Sequence, residues 1–268
     1  MTVEAASRLV VDAAHGIEAA GATDRGTVRA ENQDAWDARL LSGEASVDHD
    51  GTGRTAVALV VADGMGGHNG GRECAEAAVA AAMSRIDDPG PFEQRIERAM
   101  QDANAAVSGV RDLIGGRPGT TLVVALITGD EAVVGNIGDS RAYVVHDARA
   151  RALTSDHSWV GEELAAGRLR PEETRHHPRR NVITRAVMGD PVDADITRTE
   201  IHDGDTLLLC TDGIWEPLED DVISHYFTDG GPLLRDVERL CEAAIEAGSR
   251  DNVTVVAARA GSQRPGLQ

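Results

Sequence analysis

Several aspartates of this chain stand where predicted apolar strands end. Asp63 follows the apolar run 55–62 and precedes a glycine, and Asp212 holds a similar position after the apolar segment 206–210. Three more aspartates lie beside glycine, asparagine or glutamine near other predicted strand ends, namely Asp34, Asp139 and Asp251. One such aspartate is typical of a turn. Several of them gathered at one sheet edge would repel one another strongly unless a cation lay between them.

These residue types favour a hard divalent cation. Carboxylate oxygens without an accompanying cluster of cysteine or histidine suit Mg²⁺ or Mn²⁺ better than zinc. A glycine directly after the carboxylate, as Gly64 follows Asp63, lets the backbone carbonyl approach the ion as well. The spacing therefore predicts metal-dependent chemistry at the ends of several strands.

Hydrophobic patterning predicts the elements that position these residues. Strands are expected over the segments 18–23, 35–41, 55–62, 120–128, 132–137, 141–146, 195–200, 206–210 and 252–258. Helices are expected over 72–86, 92–113 and 233–247. Gly-Asp pairs at 129–130 and 138–139 predict turns that make the strands between 120 and 146 an antiparallel meander. Residues 1–16 are weakly patterned and fit either an arm or a first strand.

The order of these elements indicates an α+β fold. Strands, two helices, more strands, a polar excursion, further strands, a helix and a last strand suit two antiparallel β-sheets packed as a central sandwich flanked by α-helices. The excursion covers about 155–190, and 42–54 has the composition of a surface loop. Because no internal repeat or long linker is found, we expect one domain over 17–260, preceded by an N-terminal arm (1–16) and followed by a disordered tail (261–268).

Composition excludes several function classes. The 268 residues carry a net charge of −19, so neither nucleic acid nor an anionic membrane is an expected partner. All 26 basic residues are arginine, and without lysine there is no Walker-A phosphate loop and no Schiff base. The three cysteines form no C-x-x-C pair and lack the downstream arginine of a cysteine-dependent phosphatase loop. No apolar run approaches the roughly 20 residues of a membrane span, and no signal peptide is recognised, so a cytoplasmic location is predicted.

The acidic positions belong to longer motifs that resemble the metal-dependent protein phosphatases of type 2C, over roughly residues 18–260. The motifs occur in that family's order: T-D-x-G-x-V-R-x-x-N-Q-D over 23–34, A-D-G-M-G-G-H over 62–68, G-T-T over 119–121, G-D-S-R over 138–141, T-x-D-H-S over 154–158, T-D-G over 211–213 and G-S-x-D-N-x-T over 248–254. Met65 stands where the animal branch has histidine, which looks like the bacterial branch. The excursion at about 155–190 matches the family's flap.

The resemblance implies two bridged ions, Mn²⁺ or Mg²⁺, and a metal-bound water as the nucleophile. Asp63 would bridge the two ions, and the carbonyl of Gly64 would bind one of them. Asp212 and Asp251 would bind the other, and Asp34 would act through coordinated waters. Two such ions lower the pKa of a shared water and orient it for in-line attack on phosphorus, so no protein nucleophile is required.

The resemblance also implies roles around this pair of ions. Asp139, in a hairpin turn at the rim, would hold a third and weaker ion together with Asp212. Arg29 matches the phosphate-clamping arginine, whose guanidinium pairs with two phosphate oxygens. His68 fits two roles equally well: proton donor to the leaving oxygen, or cap of the helix that begins there. His157 is expected to be structural.

The sequence therefore predicts a cytoplasmic, monomeric protein serine/threonine phosphatase that acts on phosphorylated proteins, either kinase substrates or the kinase itself. A catalytically silent relative that binds phosphoproteins or metal is the alternative from another class. The presence of every expected acidic ligand favours the enzyme. Another metal-dependent hydrolase on the same site also stays open, because ligands alone do not name a substrate.

Overall fold

The computed structural model describes residues 5–11, 16–41, 55–66 and 70–261. Its strands are β1 (Ala5–Val11), β2 (Ile17–Asp24), β3 (Asp34–Leu41), β4 (Ala56–Met65), β5 (Gly119–Thr120), β6 (Leu122–Ile127), β7 (Glu131–Ile137), β8 (Arg141–His146), β9 (Arg149–Ala152), β10 (Asp195–Glu200), β11 (Thr206–Cys210) and β12 (Val253–Ala260). Its helices are α1 (Gly71–Arg85), α2 (Phe92–Ile114), α3 (Trp159–Ala165), α4 (Pro171–Thr174), α5 (Asp212–Trp215), α6 (Asp220–His225) and α7 (Leu233–Glu246).

Two antiparallel sheets form the centre of the fold. One has the strand order β1-β2-β12-β11-β8-β9, and the other has the order β10-β7-β6-β4-β3 with the short β5 paired to β4. Apolar side chains from both sheets pack into one buried layer, which includes Leu59, Val123, Val134, Leu209 and Val256. This layer joins the sheets face to face, as the sequence predicts.

Helices cover the two outer faces. Alanines and aliphatic residues of α1 and α2 pack on the outer face of β4, β6 and β7, and α7 packs on the outer face of β2, β11 and β12. Strand β4 is thus covered on both sides, and its run 56–62 is fully buried. A strand buried on both faces is expected to be continuously apolar rather than alternating, as this run is. The α+β sandwich flanked by helices is confirmed.

The strand expected over 55–62 does not end at residue 62, and the tight turn that Asp63-Gly64 would suggest after it is wrong. Strand β4 continues through both residues to Met65, and Gly64 pairs with Thr120 of β5. A Cβ added to Gly64 would lie 2.3 Å from the carbonyl oxygen of Gly71. The glycine is therefore required by close backbone packing against the start of α1, and Asp63 is held inside a paired strand.

The predicted meander over 120–146 is also wrong. Strands β6 and β7 are neighbours, but β8 lies in the other sheet, where it pairs with β11 and with the unpredicted strand β9. The connection from 138 to 140 therefore crosses between sheets and is not a hairpin. Gly138 has φ +112°, and a Cβ there would lie 2.6 Å from Cβ of Thr121, so the crossing requires a glycine.

Other differences concern the ends of the chain and the excursion. Residues 5–11 form strand β1, the second of the two possibilities for this segment, and pair with β2. The predicted loop 42–54 and residues 262–268 of the predicted tail lie outside the described residues. The excursion contains α3 and α4 and is joined to β5 by reciprocal backbone hydrogen bonds between Val187 and Thr120, at 3.0 and 2.9 Å. Among the described helices, none has the length and apolar character that a bilayer crossing needs.

Candidate metal centre

The five predicted acidic ligands come from five separate segments of the chain. Each stands at a strand end or next to one: Asp34 begins β3, Asp63 lies near the end of β4, Asp139 lies between β7 and β8, Asp212 follows β11, and Asp251 precedes β12. Because these strands belong to both sheets, the aspartates meet where the sheets adjoin. They lie close enough together that the charge of each of the other four raises the pKa of Asp63.

Asp34 and Asp63 are direct partners in the antiparallel pairing of β3 and β4. Like charges opposite one another on neighbouring strands destabilise a sheet. One carboxylate oxygen of Asp34, Oδ2, accepts a hydrogen bond of 2.9 Å from Oγ1 of Thr211, which lies in the other sheet's connection. The second oxygen, Oδ1, is buried without a hydrogen-bond partner. Burial raises the pKa of Asp34 to about 7, against the lowering effect of its hydrogen bonds from Thr254 and Thr211.

The backbone of Asp63 is fixed while its carboxylate remains available. Its N–H donates to Oγ1 of Thr121 at 2.9 Å, and its carbonyl accepts from the backbone N–H of Thr121 at 2.9 Å and from Oγ1 of Thr120 at 2.8 Å. Burial, followed by the charges of Asp34 and Asp212, raises the pKa of Asp63 well above its usual range. The strand therefore holds a carboxylate in a place that disfavours its negative charge.

Asp212 is placed by a glycine that packs directly on the last strand connection. A Cβ at Gly213 would lie 1.9 Å from the carbonyl oxygen of Asn252, so no other residue fits there without a backbone shift. Oδ1 of Asp212 is buried without a hydrogen-bond partner. Burial and then the charge of Asp139 raise the pKa of Asp212 well above its usual range.

Arg29 supplies positive charge to the cluster through Asp251. Its guanidinium donates to Oδ2 of Asp251, and its side chain is about half exposed at 51%. Burial lowers the pKa of Arg29, but the hydrogen bond and charge of Asp251, with the charges of Asp63 and Asp212, raise it overall. The arginine thus sits at the open side of the cluster with part of its guanidinium facing solvent.

Asn252 is a positioning residue whose role is not evident from the motif over 248–254. Its Oδ1 accepts from the backbone N–H of Gln33 at 2.9 Å, and its Nδ2 donates to the carbonyls of Arg25 and Glu31, each at 2.9 Å. These bonds attach the segment that carries Arg29 and Asp34 to the start of β12. An asparagine directly after a predicted acidic ligand was the available signal, because its amide can satisfy several backbone groups at once.

Asp139 is buried in a connection between the two sheets and not in the hairpin turn expected from the sequence, and its place at the rim of the metal centre stays a prediction. It is only 5% exposed, because the connection it occupies passes between the sheets rather than around a surface hairpin. Burial and then the charge of Asp156 raise the pKa of Asp139 to about 7. His157 holds this connection: its Nδ1 accepts from the backbone N–H of Gly138 at 3.1 Å, and its backbone N–H donates to the carbonyl of Gly138 at 2.9 Å.

The cluster fits divalent cations. Burial opposes ionisation of four of its carboxyl groups, and two of their oxygens have no hydrogen-bond partner. A buried acid without a partner is costly, and a cation that binds oxygen removes both the repulsion and the unsatisfied oxygens. The absence of cysteine and histidine from this set favours Mg²⁺ or Mn²⁺ over softer ions.

Comparison with known proteins identifies the family of this chain. The family model described as Protein phosphatase 2C matches residues 23–247, a span that contains Arg29 and four of the five aspartates, with Asp251 just beyond its end. The chain belongs to the protein phosphatase 2C family. Its fold agrees with the crystal structure of the Mycobacterium tuberculosis serine/threonine phosphatase PstP/Ppp, with a TM-score of 0.78 and 33% identity over 91% of this chain and 99% of that chain.

Two relatives with clear sequence similarity are bacterial proteins. PstP of Mycobacterium tuberculosis is 35% identical over 246 residues, which cover 89% of this chain and 44% of that protein. PhpP of Streptococcus pneumoniae is 34% identical over 242 residues, which cover 87% of this chain and 93% of that protein. The chain therefore spans less than half the length of PstP. The catalytic domain of PstP in complex with two manganese ions has a TM-score of 0.76 and 31% identity over 92% of this chain and 99% of that chain.

The predicted roles of all the site residues stay predictions, including those of His68 and Gly64. His68 lies outside the described residues, so neither the proton-donor nor the helix-cap role is decided. Gly64 lies beside Asp63 in β4, where its N–H donates to the carbonyl of Gln33 at 3.1 Å, and its role as a carbonyl ligand is untested.

The cysteines do not support a thiol nucleophile. Cys74, Cys210 and Cys241 are buried, and burial raises the pKa of each thiol. A catalytic cysteine needs access and a lowered pKa.

A cavity of about 690 Å³ opens beside the acidic cluster, between the excursion and the helices α5 and α6. Its lining includes Asp156 and Glu216, whose charges also raise the pKa of Asp139. Arg141 forms two hydrogen bonds with Asp156, at 2.8 and 2.7 Å, and its guanidinium lies 3.7 Å from the ring centre of Trp215. The cavity wall next to the cluster is therefore built from paired and stacked side chains.

Proposed function

We propose that this chain is a metal-dependent phosphatase that hydrolyses phosphoserine and phosphothreonine in proteins. The observation that carries the proposal is the set of buried carboxylates at the junction of the two sheets, with orphaned oxygens on Asp34 and Asp212. Membership of the phosphatase 2C family and the printed names of PstP and PhpP support this choice among hydrolytic reactions.

The ligand roles are part of this proposal. Asp63 would bridge two ions of Mn²⁺ or Mg²⁺, with the Gly64 carbonyl on one and Asp212 and Asp251 on the other. The two manganese ions in the PstP catalytic domain support this count. Bound ions of this kind supply an acidified, oriented water for in-line attack on phosphorus. Asp34 would accept a hydrogen bond from a metal-bound water. Thr211 occupies only its Oδ2, so Oδ1 is available for this water.

Arg29 would bind the substrate's phosphate. Its half-exposed guanidinium is next to the cluster and already pairs with a carboxylate, so it can present a second N–H edge to phosphate oxygens. A phosphate dianion would otherwise meet an acidic surface, and the positive charge of Arg29 offsets that repulsion. This residue therefore acts in binding and orientation rather than in proton transfer.

Asp139 would serve a third, weaker ion together with Asp212. Its carboxyl is buried, and burial raises its pKa to about 7, so near neutral pH it holds a proton about as readily as it loses one. Because only two carboxylates of the chain would hold this ion, it would stay largely hydrated and bind weakly. His157 and Gly138 fix the backbone that presents this carboxyl. His68 keeps its two alternatives, proton donor or helix cap.

The remaining features follow from the same proposal. The domain would cover 17–260 and act as a monomer in the cytoplasm on phosphorylated proteins, including kinase substrates or a kinase. Neither nucleic acid nor a membrane is a proposed partner, since the net charge of −19 opposes anionic surfaces.

The test is hydrolysis of an aryl phosphate and of a phosphothreonine peptide, each with and without Mn²⁺, followed by chelator. We expect turnover of both substrates with Mn²⁺ and loss of turnover after chelation. Full turnover in metal-free buffer would contradict the proposal. Metal and phosphopeptide binding without any turnover would instead identify a catalytically silent relative.

A further inference from the structure

A second group of metal-binding side chains lies at the other end of two strands that lead to the acidic centre. His146 ends β8, Asp205 directly precedes β11, and His202 lies in the short connection before Asp205. Strands β8 and β11 pair antiparallel, with Thr206 opposite Val145 at this end and Cys210 opposite Arg141 at the other. Five steps of roughly 3.3 Å along β8 place the group roughly 17 Å from the end nearest Asp139.

The three side chains converge on one point. One ligand atom from each of His146, His202 and Asp205 lies within 4.8 Å of the ligand atoms of the other two. Nδ1 of His146 is 2.6 Å from Oδ1 of Asp205, and Nδ1 of His202 is 3.4 Å from its Oδ2. The two imidazole rings have centroids 5.3 Å apart. The carboxylate therefore presents one oxygen to each ring.

Asp205 is held rigidly while the two rings face solvent. Its side chain is 3% exposed, and its Oδ2 accepts the backbone N–H of His202 at 2.8 Å. The backbone N–H and carbonyl of Asp205 bond to His202 and Ala260, at 2.9 and 3.0 Å. The side chains of His146 and His202 are 53% and 64% exposed, so an ion can reach their ring nitrogens. A fixed carboxylate with two accessible imidazoles needs only small ring movements to bind an ion.

The donor set differs in kind from the acidic centre. Two imidazole nitrogens and one carboxylate oxygen suit Zn²⁺ and similar borderline ions, whereas an all-oxygen set suits Mg²⁺ or Mn²⁺. We propose that His146, His202 and Asp205 form a separate Zn²⁺-type metal site at the opposite end of strands β8 and β11. Three protein ligands leave a coordination position for water.

The surroundings are compatible with such an ion. The cavity that contains the three ligands, about 560 Å³, is also lined by Asp147, Glu200, Arg149 and Arg151, so acidic and basic neighbours balance in number. Oδ2 of Asp147 lies 3.4 Å from Nε2 of His146, where a carboxylate orients a ring that binds metal through its other nitrogen. Arg151 is engaged by Oγ1 of Thr199 at 2.9 Å.

A bound ion would join the end of β8 to the connection between β10 and β11. It would replace the hydrogen bond between His146 and Asp205 by coordination and hold His202, which is otherwise exposed. Because the ion binds the folded chain, it would raise the thermal stability in proportion to the logarithm of its concentration above the dissociation constant. This role does not depend on phosphatase activity.

The test uses the full chain. The protein is stripped with chelator, reloaded with saturating Mn²⁺ and then dialysed against Zn²⁺. Bound Mn²⁺ and Zn²⁺ are counted together for the wild-type chain, His146→Gln, His202→Gln and the control His225→Gln, an exposed histidine on α6. We expect wild type and H225Q to bind one Zn²⁺ more than H146Q and H202Q at the same bound Mn²⁺. Each ligand variant should lose at least about tenfold in Zn²⁺ affinity.

Side-chain NMR of the histidines locates the ion. Zn²⁺ should shift the ring resonances of His146 and His202 and leave those of His225 unchanged. Equal Zn²⁺ binding by all four proteins, or ring shifts confined to other histidines, would overturn the proposal. Thermal unfolding of the metal-free variants shows that they fold, and if His146→Gln does not, His202→Gln in the exposed connection decides alone. Mn²⁺-supported hydrolysis by these variants should match wild type, so failure of this site and failure of the proposed function are separable.

Discussion

Strands β8 and β11 have a group of ionisable side chains at each end, and the two groups differ in composition. At one end, Asp139 and Asp212 lie close enough for their charges to interact, and burial raises the pKa of both. At the other end, Asp205 is also buried, but one of its carboxylate oxygens is hydrogen-bonded to the ring of the exposed His146, and the other accepts the backbone N–H of the exposed His202. The same pair of strands thus presents oxygen ligands alone at one end and mixed nitrogen and oxygen ligands at the other.

The comparison shows how partners decide the behaviour of a buried carboxylate. Asp205 has imidazoles and backbone N–H groups around it, and it raises the pKa of His146 through their hydrogen bond and charge. Asp212 has an oxygen without any hydrogen-bond partner and other acids nearby. A carboxylate with partners is stable without metal, whereas one among like charges is stabilised by a divalent ion. We therefore expect metal removal to affect the two ends differently.

The largest effect is expected for Asp63→Asn, which removes a proposed ligand shared by both tight ions. Mn²⁺-dependent hydrolysis should fall by more than about 100-fold. This exceeds the loss in activity that is typical when a residue hydrogen-bonded to a metal ligand, rather than the ligand itself, is changed. The metal-free variant should unfold at the same or a higher temperature than wild type, because a buried charge among like charges has been neutralised. His146→Gln, at the other end of β8, is the control and should keep full activity. Hydrolysis within tenfold of wild type would remove Asp63 from the centre.

Asp139→Ala should lower kcat for a phosphothreonine peptide by about 100-fold, the scale of lost proton-transfer assistance. The loss should be smaller for an aryl phosphate, whose leaving group needs less protonation. Calorimetry should still count two tightly bound ions. Asp147→Asn, which changes an exposed acid at the far end of β8, is the matched control.

Two results would contradict this role for Asp139. Equal losses of kcat on the two substrates would argue against assistance to the leaving group. A nearly silent Asp139→Asn variant would reduce Asp139 to a residue of the connection between the sheets.

Arg29→Ala should raise KM for the phosphopeptide by about tenfold, equivalent to about 1.4 kcal/mol for a partly exposed charged contact. Affinity for Mn²⁺ should stay nearly unchanged, because Arg29 is not itself a metal ligand and contacts only Oδ2 of the proposed ligand Asp251. Arg250→Ala removes the same charge one residue from Asp251 and should leave KM near wild type. An unchanged KM in Arg29→Ala would place the phosphate clamp elsewhere.

The smallest effect concerns pH. Asp34 and Asp139, with pKa values of about 7, keep protons in the folded metal-free chain that the unfolded chain loses near pH 4. Their contribution to stability therefore falls as pH rises from about 4 to about 7. The hydrogen bond and charge of Asp205 raise the pKa of His146, so its contribution also falls as pH rises through that raised value.

Thermal unfolding at about pH 6 and about pH 8, with and without Mn²⁺, measures this behaviour. The chelated chain should have the lower Tm at the higher pH, by about 2–4 °C for each kcal/mol lost. Mn²⁺ should raise Tm more at the higher pH, because it no longer displaces protons from the acidic centre. A Mn²⁺ effect independent of pH would show that these carboxyls do not exchange protons for the ion.

Much of the fold could be predicted from local pattern. The apolar run 55–62, the alanine-rich helix α1 and the strand 206–210 are each found within a few residues of their predicted bounds. These elements are determined locally, because continuous burial demands continuous apolar sequence and alanine favours helix. The same local pattern indicates which aspartates stand at the ends of these apolar strands.

The errors arose where a short motif has two structural uses. Asp63-Gly64 has the composition of a turn, but a glycine is required at 64 because the carbonyl of Gly71, at the start of α1, packs against it. Gly138-Asp139 has the composition of a hairpin, but it connects two sheets. Local composition cannot distinguish these uses, because the deciding contacts come from other elements.

The sequence by itself determined the longer strands and helices, the α+β class and the acidic residue types that suit a divalent ion, since these depend on periodicity and side-chain chemistry. Only the tertiary structure decided which residues meet. The burial of Asp139, the three hydrogen bonds of Asn252 and the approach of His146 to Asp205 across 59 positions follow from how the sheets cross and pair. Burial and charge proximity are sums over distant segments, so the raised pKa values that make these carboxylates suited to metal come into being only when the two sheets pack together.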